Sequence, residues 1–167
     1  MKNQELNKNI QSALNKLIAD EWFAGQIYKN FAMLVDSQER NLIYDDMMNT
    51  ASDEINDHYA KLVKFALEND YIIPASYTDM KKFADAEDIK LFEKSQKNKT
   101  ADYYLKEGID AEIRAIETYE KFLHDKKVTE NVDFHMILQN NYYDEIEHLN
   151  TFKFSMSSYE AMKKFPK

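Results

Sequence analysis

A glutamate and a histidine that could both ligate a metal stand three residues apart near the end of the chain, at Glu145 and His148. At that spacing both side chains point to the same side of a helix, and the apolar residues around them follow a helical pattern. A carboxylate combined with an imidazole favours iron over magnesium or calcium. One such pair means little alone, so its significance depends on matching positions elsewhere in the chain.

The two halves of the chain provide those matches, because they repeat one another. Glu145 lies 33 residues after Glu112, and Glu54 lies 33 residues after Glu21, which gives an offset of 91 residues between the halves. The repeat predicts two helix pairs packed about a pseudo-two-fold axis, with the four glutamates meeting in the middle. The other residues that repeat at this offset are Ala24 with Ala115, Tyr28 with Tyr119, Phe31 with Phe122, and Asp53 with Asp144.

The repeat breaks at the second histidine. The offset carries His148 back to Asp57, yet His58 is the next residue. Beyond this point the apolar pattern keeps its register only if His58 is aligned with His148, so the second helix carries one extra residue after Glu54. Helices commonly absorb such an insertion as a π-bulge, often at functional sites. We therefore predict a π-bulge that presents Glu54 and His58 together, with Asp57 as the fallback ligand.

The elements that must position these residues are long helices. Only two glycines and two prolines interrupt the chain, so the prediction is an all-α, antiparallel four-helix bundle in one domain over residues 1–167. Its two helix pairs are joined by a long crossover that contains a short helix near residues 85–96. The predicted helices span about 3–35, 38–69, 100–124 and 131–164, with the crossover at 70–99.

Composition excludes several classes of protein. Residues are 44% hydrophobic and 31% charged, as in folded globular proteins. There is no apolar run of membrane-spanning length and no signal-peptide core, so we expect no membrane association and a cytoplasmic location. A formal charge of −8 disfavours binding to the phosphate backbone of nucleic acids. Without cysteine, any metal must be held by oxygen and imidazole nitrogen.

The glutamates lie within apolar stripes, where an unpaired carboxylate costs several kcal/mol. Glu21, for example, falls in line with Leu17, Ala24 and Tyr28. The stripes contain no lysine or arginine that could neutralise the four acids. A metal therefore explains the pattern better than buried salt bridges do.

Four glutamates and two histidines at these spacings resemble the ferritin-like superfamily of carboxylate-bridged di-iron four-helix bundles. The resemblance covers nearly the whole chain. It implies one iron bound by Glu21, Glu54 and His58, and a second bound by Glu112, Glu145 and His148, with Glu54 and Glu145 bridging. It also implies that Tyr28 and Tyr119 hydrogen-bond the ligating carboxylates across the bundle.

The resemblance further implies an activity. Ferrous iron would be oxidised by dioxygen or peroxide, for storage or detoxification, in a homo-oligomer that binds two iron ions per chain. Manganese would accept the same ligands. Haem is not expected, because Ile55 stands where bacterioferritins have their haem-ligating methionine. Rubrerythrins have an additional glutamate where this chain has Ala115, and the 19 residues after His148 leave no room for the short fifth helix of typical ferritins.

Two other functions are consistent with the sequence. The same site could belong to a rubrerythrin-like peroxide reductase or another di-iron oxidase or oxygenase. Alternatively, the chain could be a metal-free helical interaction module that keeps only the scaffold. Trp22, next to a predicted ligand, is expected to face outward or into a subunit contact.

Overall fold

The computed structural model of the chain describes residues 2–164, with side chains from residue 8 onward. This part of the chain is helical and contains no strand, which confirms the predicted all-α class. None of its helices is long and apolar enough to cross a lipid bilayer. The elements are α1 (Lys2–Leu34), a 3-10 turn (Arg40–Leu42), α2 (the α segments Tyr44–Asp53 and Ala60–Glu68 joined by the π segment Glu54–Tyr59), α3 (Tyr77–Met80), α4 (Ala86–Glu93), α5 (Ala101–Leu123), α6 (Lys126–Thr129) and α7 (Val132–Lys164).

Four long helices form the predicted bundle. Helix α1 packs on α2, and α5 packs on α7, so each helix pairs with a neighbour in sequence. The apolar stripe of α1 faces the bundle interior because its residues recur every three or four positions. The buried members of that stripe are Ile10, Leu14, Leu17, Tyr28 and Phe31, and Val35 just beyond the helix is buried with them.

Helix α2 begins later than the predicted residue 38, because the preceding residues contact the end of the crossover. The backbone N–H of Asp36 donates to the carbonyl of Lys99 at 3.0 Å. The carboxylate of Glu39 accepts the backbone N–H of Ala101 at 2.6 Å, and so binds one of the free amides at the start of α5. These contacts hold residues 36–39 against the start of α5, and α2 begins only at Tyr44.

The crossover contains two short helices rather than the one that was predicted. Helix α4 lies within the predicted range and is capped by Asp85, whose carboxylate accepts the N–H of Glu87 at 2.8 Å. Helix α3 was not predicted. It is capped by Ser76, whose hydroxyl accepts the N–H of Asp79 at 3.2 Å. Four residues are too short for an apolar repeat to be recognised in the sequence.

The crossover covers Trp22. The indole ring lies 6.2 Å from the ring of Tyr77 in α3 and 5.9 Å from that of Phe92 in α4, measured between ring centroids. Trp22 is consequently half-buried against the crossover of its own chain, which corrects the expectation that it faces outward.

The predicted π-bulge is confirmed. Residues Glu54–Tyr59 form one π-helical segment inside α2. The segment absorbs the extra residue, so that Leu62 beyond it is fully buried. Both Glu54 and His58 point into the bundle, with exposed fractions of 1% and 0%.

Candidate metal centre

The structure brings the six predicted ligands together in the middle of the bundle. Their side chains form two overlapping groups of four, in which one potential donor atom of each residue lies within 4.8 Å of the others. All six residues are buried. Position 1 is defined here by Glu21, Glu54, His58 and Glu145, and position 2 by Glu54, Glu112, Glu145 and His148.

At position 1, His58 Nδ1 faces three carboxylates. It lies 3.0 Å from Glu54 Oε2, 3.2 Å from Glu145 Oε1 and 3.4 Å from Glu21 Oε2. Glu54 and His58, four residues apart within the π segment, lie on the same side of α2, so the imidazole faces the carboxylates.

At position 2, His148 Nδ1 likewise faces three carboxylates, at longer distances overall. It lies 3.2 Å from Glu54 Oε1, 3.7 Å from Glu145 Oε2 and 4.0 Å from Glu112 Oε2. The regular turn of α7 supplies this geometry, since Glu145 and His148 are three residues apart in an uninterrupted helix.

The buried carboxylates lack enough hydrogen-bond donors. Apart from their contacts with the two imidazoles, both oxygens of Glu112, both oxygens of Glu145 and one oxygen of Glu54 have no hydrogen-bond partner. Burial, and then the charges of Glu145 and Glu54, raises the pKa of Glu112 well above its usual range. Unpaired buried carboxylates of this kind destabilise a fold unless a cation meets them. The donor set, all oxygen and imidazole nitrogen, fits a transition-metal ion such as iron or manganese.

The two histidines supply the positive charge nearest to these acids. Burial alone would lower the pKa of His148, but the neighbouring Glu145 and Glu54 carboxylates outweigh it and raise that pKa to about 12. The pKa of His58 is raised as well. Burial would lower it, but the neighbouring carboxylates, chiefly the charge of Glu54, outweigh burial. Without metal, both rings therefore carry a proton that a metal ion must displace.

Hydrogen bonds outside the ligand groups differ between the two positions. The Tyr119 hydroxyl donates to Glu21 Oε1 and accepts from Asn141 Nδ2 at 3.0 Å. Burial, and then the negative charge of the nearby Glu112, raises the pKa of Tyr28 well above its usual range. Glu112 nevertheless receives no hydrogen bond of ordinary geometry.

Two aspartates that sequence reasoning did not assign to the site touch the far nitrogens of the imidazoles. Asp144 Oδ2 lies 3.3 Å from His58 Nε2, and Asp53 Oδ2 lies 3.5 Å from His148 Nε2. Each aspartate thus orients the histidine of the opposite half. The signal was present, because Asp53 and Asp144 match at the offset of 91 residues. Asn141 gave no such signal, since Thr50 stands at its matching position.

Asp57, the fallback ligand, lies outside both positions. Its carboxylate is half-buried and pairs with Lys61 one turn later in α2. It approaches His58 and Asp144 on the outer side of the imidazole, in a third group of potential donors. The structure therefore places His58, rather than Asp57, among the central carboxylates.

Two cavities reach the centre from opposite sides. On the histidine side, a cavity of about 410 Å³ is lined by both imidazoles and by five acidic residues. On the other side, a cavity of only about 20 Å³ is lined by Ala24, Ala111 and Ala115 beside the ligand carboxylates. Arg114 stands at its outer wall and pairs with Asp88 of the crossover at 2.6 Å. The acidic residues of the larger cavity are Asp46, Asp53, Asp57, Asp144 and Glu147.

Comparison with known proteins gives a family match. A family model described as a ferritin-like domain matches residues 11–160. The fold is similar to that of a dodecameric thioferritin, the bacterioferritin-related protein from Bacteroides fragilis, with a TM-score of 0.77, 18% identity and coverage of 96% of this chain and 92% of that chain. It is also similar to the ferritin of M. penetrans, with a TM-score of 0.66, 17% identity and coverage of 90% and 84%. No functionally curated protein matches the sequence.

Proposed function

Since the chain belongs to the ferritin-like family, we propose that it oxidises ferrous iron, with dioxygen or peroxide as the electron acceptor. The observation that carries this proposal is the pair of overlapping buried ligand groups that share Glu54 and Glu145. Two shared carboxylates hold two ions close together, so that two electrons can be delivered to one oxidant. Iron is the substrate here, and two ferrous ions are bound per chain.

The electron balance suits a two-ion centre. Each ferrous ion loses one electron, and dioxygen takes up two electrons and two protons to form hydrogen peroxide. Hydrogen peroxide, as the alternative oxidant, takes up two electrons and two protons to form two water molecules. The four glutamates offset the charge of the ions throughout. Asp53 and Asp144 hold the imidazole rings in place, because each lies within 3.5 Å of a far ring nitrogen.

The larger cavity is the proposed route for ferrous ions. Its five carboxylates create a negative potential that raises the local concentration of cations next to the centre. Both histidines line the inner wall of this cavity, so it adjoins both positions.

The proposed biological role is iron storage or detoxification by a homo-oligomer. The Bacteroides fragilis protein of similar fold is described as dodecameric. We extend an assembly of identical subunits to this chain, together with a cytoplasmic location. Native mass measured before and after addition of excess ferrous iron in air tests this: a large particle that retains many irons per chain supports storage, and a monomer that releases its ferric product contradicts it.

The activity is tested by loading metal-free protein with ferrous iron under anaerobic conditions and then mixing it with dioxygen or with hydrogen peroxide. We expect two ferrous ions to bind per chain and to be oxidised faster than free iron. Glu112→Ala removes one ligand and should lower the oxidation rate at least about tenfold. Glu117→Gln, which changes an exposed residue of the same helix, is the matched control. Wild-type protein that binds no ferrous iron, or oxidises it no faster than buffer, would contradict the proposal.

A further inference from the structure

The two ligand positions have equivalent donors, namely one carboxylate of their own, two shared carboxylates and one imidazole. From the donors alone, the two positions should bind metal equally well. The residues around them differ in three respects, all of which point in the same direction.

The first difference concerns the unshared carboxylates. Glu21 at position 1 is fixed by the Tyr119 hydroxyl, and Asn141 donates to the oxygen of that hydroxyl at 3.0 Å. A hydroxyl has a single hydrogen, so accepting from Asn141 directs that hydrogen toward Glu21 Oε1. Glu21 Oε2, the oxygen that faces His58, remains available to an ion.

Position 2 lacks this chain of hydrogen bonds. Thr50 is the residue that matches Asn141 at the offset of 91 residues, and its side chain has no amide group that could donate a hydrogen bond. Both oxygens of Glu112 are without a hydrogen-bond partner although the residue is 0% exposed. Tyr28 matches Tyr119 and lies beside this carboxylate. No hydrogen bond of ordinary geometry holds the Glu112 oxygens, so the carboxylate is less firmly oriented than Glu21 before an ion binds.

The second and third differences concern the histidines. His58 Nε2 forms a hydrogen bond with Asp144 at 3.3 Å, whereas the corresponding contact of His148 with Asp53 is longer, at 3.5 Å, and is not of hydrogen-bond geometry. His58 is also completely buried, while His148 is 8% exposed at the inner wall of the larger cavity.

We infer that position 1 fills first and holds its ion more tightly, while position 2 fills second and exchanges its ion through the histidine-side cavity. Tyr119 and Asn141 are the positioning residues that set this order. Hydrogen-bonded partners of metal ligands typically change affinity by about 10–100-fold, which is the expected ratio between the two positions. The inference rests on the proposed function only in taking iron as the natural ion.

The order of filling can be read with Zn²⁺, which accepts the same carboxylate and imidazole donors and does not react with oxygen. The chain has only four histidines, so protein labelled with ¹⁵N at histidine gives few ring signals. Metal-free protein is titrated with Zn²⁺ while the ring nitrogens are followed by NMR. We expect the His58 signals to reach their end point at the first equivalent and the His148 signals at the second, with His124 and His135 as internal references.

Tyr119→Phe removes the hydrogen bond to Glu21 with little change in shape. It should abolish the preference, so that the His58 and His148 signals move together. Tyr142→Phe is the control, because its hydroxyl bonds Glu120 and not a ligand. The double variant Thr50→Asn/Asn141→Thr removes the amide donor from position 1 and places one at the matching residue near position 2. It should weaken or reverse the order in which the two positions fill.

Simultaneous saturation of both histidines in the wild-type protein would overturn the inference, as would an order of filling that Tyr119→Phe leaves unchanged. Circular dichroism of each variant establishes that it is folded before titration. The readout does not involve oxidation. If the protein binds Zn²⁺ in the expected order but does not oxidise ferrous iron, the proposed function fails and the inference stands.

Discussion

The N-terminal helix pair, α1 and α2, and the C-terminal pair, α5 and α7, each present two glutamates and one histidine to the centre, but by different means. Helix α7 runs without interruption over Val132–Lys164 and uses its regular turn to align Glu145 with His148. Helix α2 reaches an equivalent arrangement through the π segment Glu54–Tyr59. The ligand positions are thus retained while the backbone and the surrounding hydrogen bonds differ. An equivalent set of donors need not give equivalent binding.

The largest effect is expected from the two carboxylates that the halves share. Glu54→Gln or Glu145→Gln removes a charged donor from both positions at once, so each should weaken binding of both ions by more than about 100-fold. Isothermal titration with Zn²⁺ provides the measurement. Asp57→Asn is the control and should retain both ions; loss of an ion in this variant would show that Asp57, and not His58, ligates from α2.

Replacing the histidines one at a time shows how tightly each ligand position binds an ion on its own. His58→Ala and His148→Ala should each leave one ion bound, and the ion that remains in His58→Ala should bind about 10–100-fold more weakly than the one that remains in His148→Ala. The reason is that His58→Ala leaves only the less organised position 2. Equal affinities of the two remaining ions in the same titration would argue that the halves are equivalent.

Deleting Asp57 tests whether the backbone difference matters. The deletion shortens the spacing from Glu54 to His58 to three residues, which is the spacing of Glu145 and His148 in α7. We expect a regular helix, two bound ions and affinities within about tenfold of wild type, because the extra residue is accommodated by the π segment rather than used as a ligand. A protein that folds but binds fewer than two ions would show that the π segment itself is required.

The smallest effect concerns Asp20, whose matching position in the C-terminal half is Ala111. Burial raises the pKa of Asp20 to about 7, against the lowering effect of Lys16. The folded protein therefore holds a proton that the unfolded chain releases near pH 4, so this contribution to stability is present at low pH and is lost as the pH rises toward 7. Relative to wild type, Asp20→Asn should gain at most about 1.4 kcal/mol in unfolding free energy for each pH unit between pH 4 and pH 7, and nothing further above pH 7. Urea unfolding at several pH values measures it, and a difference that is independent of pH would refute it.

Much of the fold and the centre could be predicted from residue spacing. The clustering of the six candidate ligands and the π-bulge both follow from the repeat, because carboxylates in an apolar stripe and a one-residue shift in register are visible in the sequence. The start of α2 was missed because it depends on contacts with the end of the crossover, which is distant in sequence. Helix α3 was missed because its four residues are too few for an apolar repeat to be recognised. The hydrogen bond from Asn141 to Tyr119 was missed for another reason: the repeat identifies what the halves share, and this contact belongs to one half alone.

Trp22 gives the molecule a built-in optical probe. It is the only tryptophan of the chain, it directly follows Glu21, and its ring packs against Tyr77 and Phe92 of the crossover. Its fluorescence therefore originates from a single place beside position 1. Changes in emission or in quenching by acrylamide will report ion occupancy and movement of the crossover in unlabelled protein.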